Sequence, residues 1–179
     1  SAMAVVALVN QKGGVGKTTV TLGLAGAAAK AGIRTLVVDL DPQANATSGL
    51  GVWDPPVTVD AALAEERAGG LAACVLASRW PAEAGRLPSL VASSPALASR
   101  EPQLALDPLG AQDRLALALQ GDDHDLVLID CPPSLGLLTV NGLFASDLAL
   151  VVTEPGAWAT DGVAQILQTV ERISRRRRE

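Results

Sequence analysis

Hydrophobic residues fall into short, nearly unbroken runs, and the stretches between them repeat with helical spacing. Ala4–Val9 (AVVALV) is the first run, and a Gly-rich turn follows it. Thr18–Lys30, rich in Ala and Leu, predicts a helix that Gly32 closes as a C-terminal cap. Ile33–Leu40 predicts a second strand, Leu87–Ala92 a third, Asp125–Ile129 a fourth and Leu148–Val152 a fifth. Runs of this kind suit strands buried on both faces, as in a parallel sheet. Helical stretches are predicted at Val59–Glu66, Leu71–Ser78, Gln112–Gln120 (closed by Gly121) and Leu137–Ala145. Thr160 reads as the N-cap of a last helix over Asp161–Ser174, whose Val163, Ile166, Leu167 and Val170 share one face. Gly51–Pro56 and Trp80–Pro88 read as loops. The alternation predicts a doubly wound α/β fold: a mainly parallel sheet with helices on both faces and right-handed crossovers. With neither a repeat nor a linker in view, residues 1–179 read as one domain.

Composition narrows this. Hydrophobic residues make up 49 % of the 179, enough for a full core, but aromatics only 2 %, so Ala, Val and Leu must supply the packing. Apolar runs fall short of the ~18 residues that cross a bilayer, and the N-terminus lacks the pattern of a secretory signal. Ser1 and Ala2, ahead of Met3, read as the remnant of a cleaved tag. Cys74 and Cys131 are far apart and His124 is the one histidine. Neither a disulfide scaffold nor a Cys- or His-based metal site is expected, which suits a cytoplasmic protein. Nine basic and eighteen acidic residues precede Arg172, whereas five arginines crowd the last eight positions. So acidic a body repels polyanions, and nucleic-acid contact would have to come from a local patch.

The sharpest chemistry lies where the first strand hands over to the first helix. Lys12-Gly13-Gly14-Val15-Gly16-Lys17-Thr18-Thr19 has the layout of a phosphate-binding loop. Its glycines let backbone N–H groups turn inward around phosphate oxygens, and the helix adds its positive dipole end. Lys17 is placed to reach β- and γ-phosphates, and the Thr18 hydroxyl to bind Mg2+. Gln11 stands where the standard G-x-x-x-x-G-K-[ST] pattern begins with glycine. Lys12 is a second lysine, extra to the usual cradle. It reads either as a solvated loop residue or as a group that reaches a phosphate, across a dimer interface in one version.

Two predicted strands end in aspartate, at Val37-Val38-Asp39-Leu40-Asp41 and at Leu128-Ile129-Asp130. In open α/β sheets ligands sit beyond the carboxyl ends of the strands. An aspartate there, facing a phosphate loop, is how such enzymes hold Mg2+, and Asp130 takes that role. Asp39 and Asp41 share a face of an extended stretch. One would order the metal shell and the other orient the attacking water.

These residues together resemble a family. Asn10-Gln11-Lys12-Gly13-Gly14-Val15-Gly16-Lys17-Thr18-Thr19 is similar to the deviant Walker A motif of the ParA/MinD group of ATPases. Asp39-Leu40-Asp41-Pro42-Gln43, continuing through Asn45-Ala46-Thr47 to Gly51, resembles the second signature of ParA (Soj-like) chromosome- and plasmid-partitioning ATPases. Ala44 stands where glycine is usual. Leu128-Ile129-Asp130-Cys131-Pro132-Pro133-Ser134-Leu135-Gly136 resembles that family's Walker B segment. The resemblance implies a P-loop NTPase fold, with ATP and Mg2+ as cofactors. It implies a Mg-dependent ATP hydrolase that forms a sandwich homodimer with ATP. Lys12, Lys17 and Asp41 would serve catalysis. Gly13, Gly14, Val15, Gly16, Thr18 and Thr19 would join both lysines in holding nucleotide, and Thr18, Asp39 and Asp130 would hold the metal. Lys12 would contact the partner's nucleotide. A ParB-type partner would stimulate hydrolysis, and the ATP dimer would bind DNA nonspecifically on the nucleoid. Family members are usually longer, and their further C-terminal part carries the adenine-contacting loop and most DNA-contacting residues, so the resemblance implies either a truncated or partial family member or a shortened paralogue.

Other functions stay in view: a MinD-like positioning ATPase at a membrane, and a metabolic P-loop ligase that activates an amide or carboxylate. Arg175–Arg178 reads as a solvated helix end or as an anion-binding run. Trp53, Trp80 and Trp158 read as packing residues, and Cys131 as a small buried filler.

Overall fold

A computed structural model describes residues 3–10, 16–153 and 161–178. Lys12 to Val15 of the phosphate loop, Trp158 and the Thr160 cap lie outside the described residues. The strands are β1 (Ala4–Val9), β2 (Thr35–Asp39), β3 (Val75–Ala77), β4 (Ser89–Val91), β5 (Leu126–Asp130) and β6 (Leu148–Val151). The helices are α1 (Lys17–Lys30), α2 (Asn45–Gly49), α3 (Val59–Ala64), α4 (Arg100–Leu104), α5 (Arg114–Ala118), α6 (Leu137–Ala145) and α7 (Asp161–Arg178).

The six strands form one sheet in the order β3-β4-β2-β5-β1-β6. All neighbours are parallel except β3, which pairs antiparallel with β4 at one edge. This is the expected α/β architecture of a P-loop NTPase. Every residue of β2 is buried, as are four of the five in β5, because helices cover both faces of the sheet centre. Side chains two apart share a face. Leu36, Val38, Val127 and Ile129 therefore pack on one side, with Leu63 of α3, Leu115 of α5, Leu138 of α6 and Ile166 of α7. Val37, Leu90 and Leu128 pack on the other, with Ala25 of α1 and Ala46 of α2.

Small residues set the spacing. Alanines 25, 28 and 29 are buried on α1, so that helix lies close to the sheet. A β-carbon at Gly142 of α6 would stand only 2.8 Å from Cys131 Sγ, so that close approach needs glycine. Gly32 has φ +74°, the left-handed conformation of a helix stop, as expected from its place after Lys30.

Several expectations are corrected. Leu71–Ser78 is not a helix: a 3-10 turn at Gly70–Cys74 leads into β3, and Leu76 is drawn into register with Leu90 of β4. Tertiary pairing outweighs local propensity there. The short helices α2 and α4 were not expected, and α7 runs through Arg178 rather than stopping at Ser174. Trp80 packs as expected and donates from Nε1 to the Gly49 carbonyl at 2.8 Å, but Trp53 is 80 % exposed. Among the described residues no helix is long and apolar enough to cross a membrane.

Candidate functional site

The site forms where strand ends meet the start of α1. β2 and β5 are neighbours with Asp39 opposite Asp130, so two carboxylates stand side by side at the carboxyl edge of the sheet. Both are fully buried, and Asp41, two residues on, is nearly so. Gly16 opens α1 at φ +81°, which turns the chain from the loop into the helix and brings Lys17 and Thr18 to the same edge.

Asp130 is the hub. Its Oδ1 accepts from Lys17 Nζ at 2.6 Å and from Thr21 Oγ1 at 3.1 Å. Its Oδ2 accepts from Thr18 Oγ1 at 3.1 Å. Lys17, itself buried, also lies 3.9 Å from Asp41 Oδ2. Thr19 is exposed on the first turn of α1. Lys17, Thr18, Asp41 and Asp130 are thus brought together, whereas Lys12, Gly13, Gly14 and Val15 lie outside the described residues.

Asp39 stands behind that cluster. Its Oδ2 accepts from the Thr47 backbone N–H at 2.9 Å and from Thr47 Oγ1 at 2.7 Å, and its Oδ1 accepts from the Asp41 N–H at 3.0 Å. Both oxygens are committed to the protein, so Asp39 shapes the loop that follows β2. Asp41 Oδ1 accepts from the Gln43 N–H at 3.0 Å. Ser93, just past β4, closes the ring: its Oγ donates to the Asp41 carbonyl at 2.6 Å and its N–H to Thr47 Oγ1 at 2.9 Å. Thr21, Thr47 and Ser93 carry no role in the sequence reading. Thr21 was legible, one turn after Lys17 on the same helix face. Ser93 lies two residues past the end of β4, beside the loop that follows β2, a signal visible only once the strand is placed.

The electrostatics follow from burial. Desolvation, then the charge on Asp130, pushes the Asp39 carboxyl up to about 7, against the hydrogen bonds from Thr47 and Asp41. Burial also raises Asp41, opposed by the Gln43 amide and by Lys17. The Cys131 thiol is raised by burial and then by Asp130, so it is an inert filler rather than a nucleophile.

A small hard dication fits this donor set. Thr18 Oγ1 and Asp130 Oδ2 are adjacent oxygens that could hold one, since Mg2+ characteristically takes one or two protein oxygens, keeps waters and binds substrate phosphates. Among the described residues no cluster of three or more His, Cys, Asp or Glu makes an all-protein cage.

Fold and site together define a P-loop nucleotide-binding protein. A family model described as an AAA domain (AAA_31) matches residues 3–179, and the chain belongs to that family. It is similar to the chromosome partitioning protein ParA of Myxococcus xanthus, 38 % identical over 172 residues, covering 94 % of this chain and 58 % of that protein. It is 42 % identical over 168 residues to the chromosome-partitioning ATPase Soj of Thermus thermophilus, covering 94 % of this chain and 61 % of Soj. The chain therefore spans about three fifths of the length of these curated relatives. Among solved structures it is similar to cobyrinic acid a,c-diamide synthase from Mycobacterium smegmatis with bound ATP analog and magnesium. The TM-score there is 0.84 at 36 % identity, over 97 % of this chain and 69 % of that one. The ParA/Soj resemblance of the motifs is thus matched along nearly the whole sequence.

Proposed function

We propose that residues 1–179 form a single P-loop ATPase unit of the ParA type, which binds Mg·ATP, forms a sandwich homodimer around it and hydrolyses it to ADP and phosphate. The observation that carries this reading is Asp130 facing Lys17 and Thr18 at the strand edge, with Asp39 abreast of it on the neighbouring strand. In this reading Gly13, Gly14, Val15, Gly16 and Thr19 cradle phosphates with the two lysines. Lys17 exchanges its contact with Asp130 for the β- and γ-phosphates. Thr18 and Asp130 hold Mg2+, which when bound neutralises phosphate charge. Asp39 orders the metal's surroundings from behind, through Thr47 and the Asp41 backbone. Asp41 orients the attacking water, whose oxygen bonds to the γ-phosphorus as the bond to the bridging oxygen breaks. Lys12 reaches the nucleotide held by the partner protomer. Hydrolysis then releases the dimer, a switch held by the γ-phosphate. The similarity to ParA and Soj supports a role in moving DNA cargo in the cytoplasm, with a ParB-type partner and nonspecific DNA contact.

The test is light scattering with ATP and Mg2+ or a slowly hydrolysed analogue. Wild type should dimerise, Lys12→Ala should stay monomeric, and Asp41→Ala should give a longer-lived dimer. A wild type that binds ATP yet stays monomeric overturns the switch in this chain.

The likeness to the diamide synthase favours one second reading, an ATP-dependent amide-forming ligase. ATP turnover that rises only with a small carboxylic acid and an amide nitrogen donor would establish it in place of the first.

A further inference from the structure

The last seven residues of α7 include five arginines, and three are engaged within the protein. Arg175 Nη2 donates to Glu171 Oε1 at 2.7 Å. Arg177 donates to the Ser146 carbonyl and lies 3.9 Å from Asp147. Arg178 Nε donates to the Ser174 carbonyl at 3.3 Å. Arg172 and Arg176 have no hydrogen-bond or ion-pair partner among the described residues, and both are exposed. Four residues apart, they stand on one face of the helix. That face borders a groove of about 230 Å³ between α6 and α7, floored by Leu135, Val140, Phe144 and Ile173 and flanked by the polar Gln112 and Thr169. Phe144 is the chain's one phenylalanine, and it lies half-buried there.

We propose that this groove docks a short acidic and apolar segment of a partner protein, with an apolar side chain in the groove and two carboxylates on Arg172 and Arg176. Charge complementarity selects the occupant. Two guanidiniums without a partner among the described residues rim a floor of four apolar side chains on a body that is otherwise strongly acidic, and guanidinium recognises carboxylate through paired N–H donors. A nucleic acid is the poorer match. It presents a long row of phosphates and no apolar side chain to meet Phe144 and its neighbours, and the acidic body repels it. The inference does not rest on the ATPase reading, and its test is run without nucleotide.

The test is fluorescence anisotropy on the full chain at low salt. The probes are short fluorescein-labelled peptides carrying two Glu, spaced as on a strand or on a helix, around a central Leu or Phe. At least one spacing should bind, and changing its Glu to Gln or its Leu or Phe to Ser should weaken it. The protein variant Arg172→Gln with Arg176→Gln should lose roughly tenfold in affinity, equivalent to about 1.4 kcal/mol. Arg175→Gln, whose guanidinium is already taken by Glu171, should bind as wild type does. Failure of every spacing overturns the proposal. So does indifference to the Leu or Phe, or an equal loss in Arg175→Gln, since bulk charge would then explain the binding. A DNA duplex that binds more tightly through Arg172 and Arg176 overturns it in favour of a nucleic-acid surface.

Discussion

The two ends of the central strands use the same residue types for opposite purposes. At the amino-terminal edge, Asp122, Asp123 and Asp125 precede β5, and Arg34 precedes β2. Arg34 Nη2 meets Asp125 Oδ1 at 3.2 Å and Nη1 meets Asp123 Oδ2 at 3.5 Å, while His124 Nδ1 lies 2.9 Å from Asp122 Oδ1. Here charge meets charge beside water, and the turns are closed. At the carboxyl edge, Asp39, Asp41 and Asp130 are buried, and among the described residues Lys17 meets two of them, Asp41 and Asp130. Three carboxylates against one ammonium leave an excess of negative charge out of water, which folding alone does not favour. The backbone tells the same story. At the amino-terminal edge the positive-φ positions Gly32 and Gly121 are glycine, whereas at the carboxyl edge a non-glycine residue, Ala44, takes φ +57° alongside the glycine at Gly16. Strain and unbalanced charge gather at one edge, as expected where a ligand supplies the missing interactions.

The largest effect should come from removing the cation. Lys17→Ala takes away the donor that Asp130 and a phosphate would share, and phosphate release should fall by about 10²–10³-fold. Turnover near the wild-type level would show that the carboxylate edge is not the ATPase centre. Next comes Asp39→Ala, which leaves the Thr47 N–H and hydroxyl and the Asp41 N–H without their acceptor. Urea unfolding should show a loss of about 2–4 kcal/mol, net of relieved repulsion with Asp130.

How far this edge was legible in the sequence depends on the range of the interaction. The phosphate loop and the aspartates past Val38 and Ile129 were visible because each is a local pattern: an apolar run followed by chemistry. That Asp39 and Asp130 stand abreast was not visible, since it follows from β2 pairing with β5 across the intervening elements. Ser93 was illegible for the same reason, its partners Asp41 and Thr47 being set by the pairing of β4 with β2. β3 was misread as helix because three residues of strand are specified by their partner rather than by their own spacing. Ala44 was noted as a small departure from glycine, yet its consequence, a left-handed backbone, needed the coordinates.

Stability against pH sharpens the comparison. Asp39 titrates at about 7 in the folded chain, and an unfolded aspartate titrates near ~3.9. Between those values the folded state binds more protons than the unfolded one. Stability from this group is therefore full below about pH 4, falls as pH rises, and is gone above about pH 7. Measured against Asp39→Asn, the wild type should lose about 2–3 kcal/mol of relative stability between pH 5 and 8. A flat difference would mean that Asp39 ionises freely and is not desolvated. Ala44→Gly probes the strain at the same edge. It should stabilise the fold by up to about 1 kcal/mol in urea, because glycine takes φ +57° without a Cβ penalty.

The smallest effect is expected at the opposite edge, from Arg34→Ala. Its guanidinium is held above its usual range by the hydrogen bond and charge of Asp125, yet its side chain is 38 % exposed and that of Asp123 86 %. Water solvates both partners once the pair is broken, so little is lost by separating them. The backbone closure of this edge is independent of the side chain, since the N–H groups of Asp125 and Leu126 both donate to the Arg34 carbonyl, which alanine keeps. The urea midpoint should move less than it does in Ala44→Gly, and what shift there is should fade as salt screens the pair. Nucleotide binding, measured by titration of a fluorescent ATP analogue, should stay at the wild-type level. A change in nucleotide affinity would mean that charge at one end of the sheet is felt at the other, and the division of labour between the two edges would not hold.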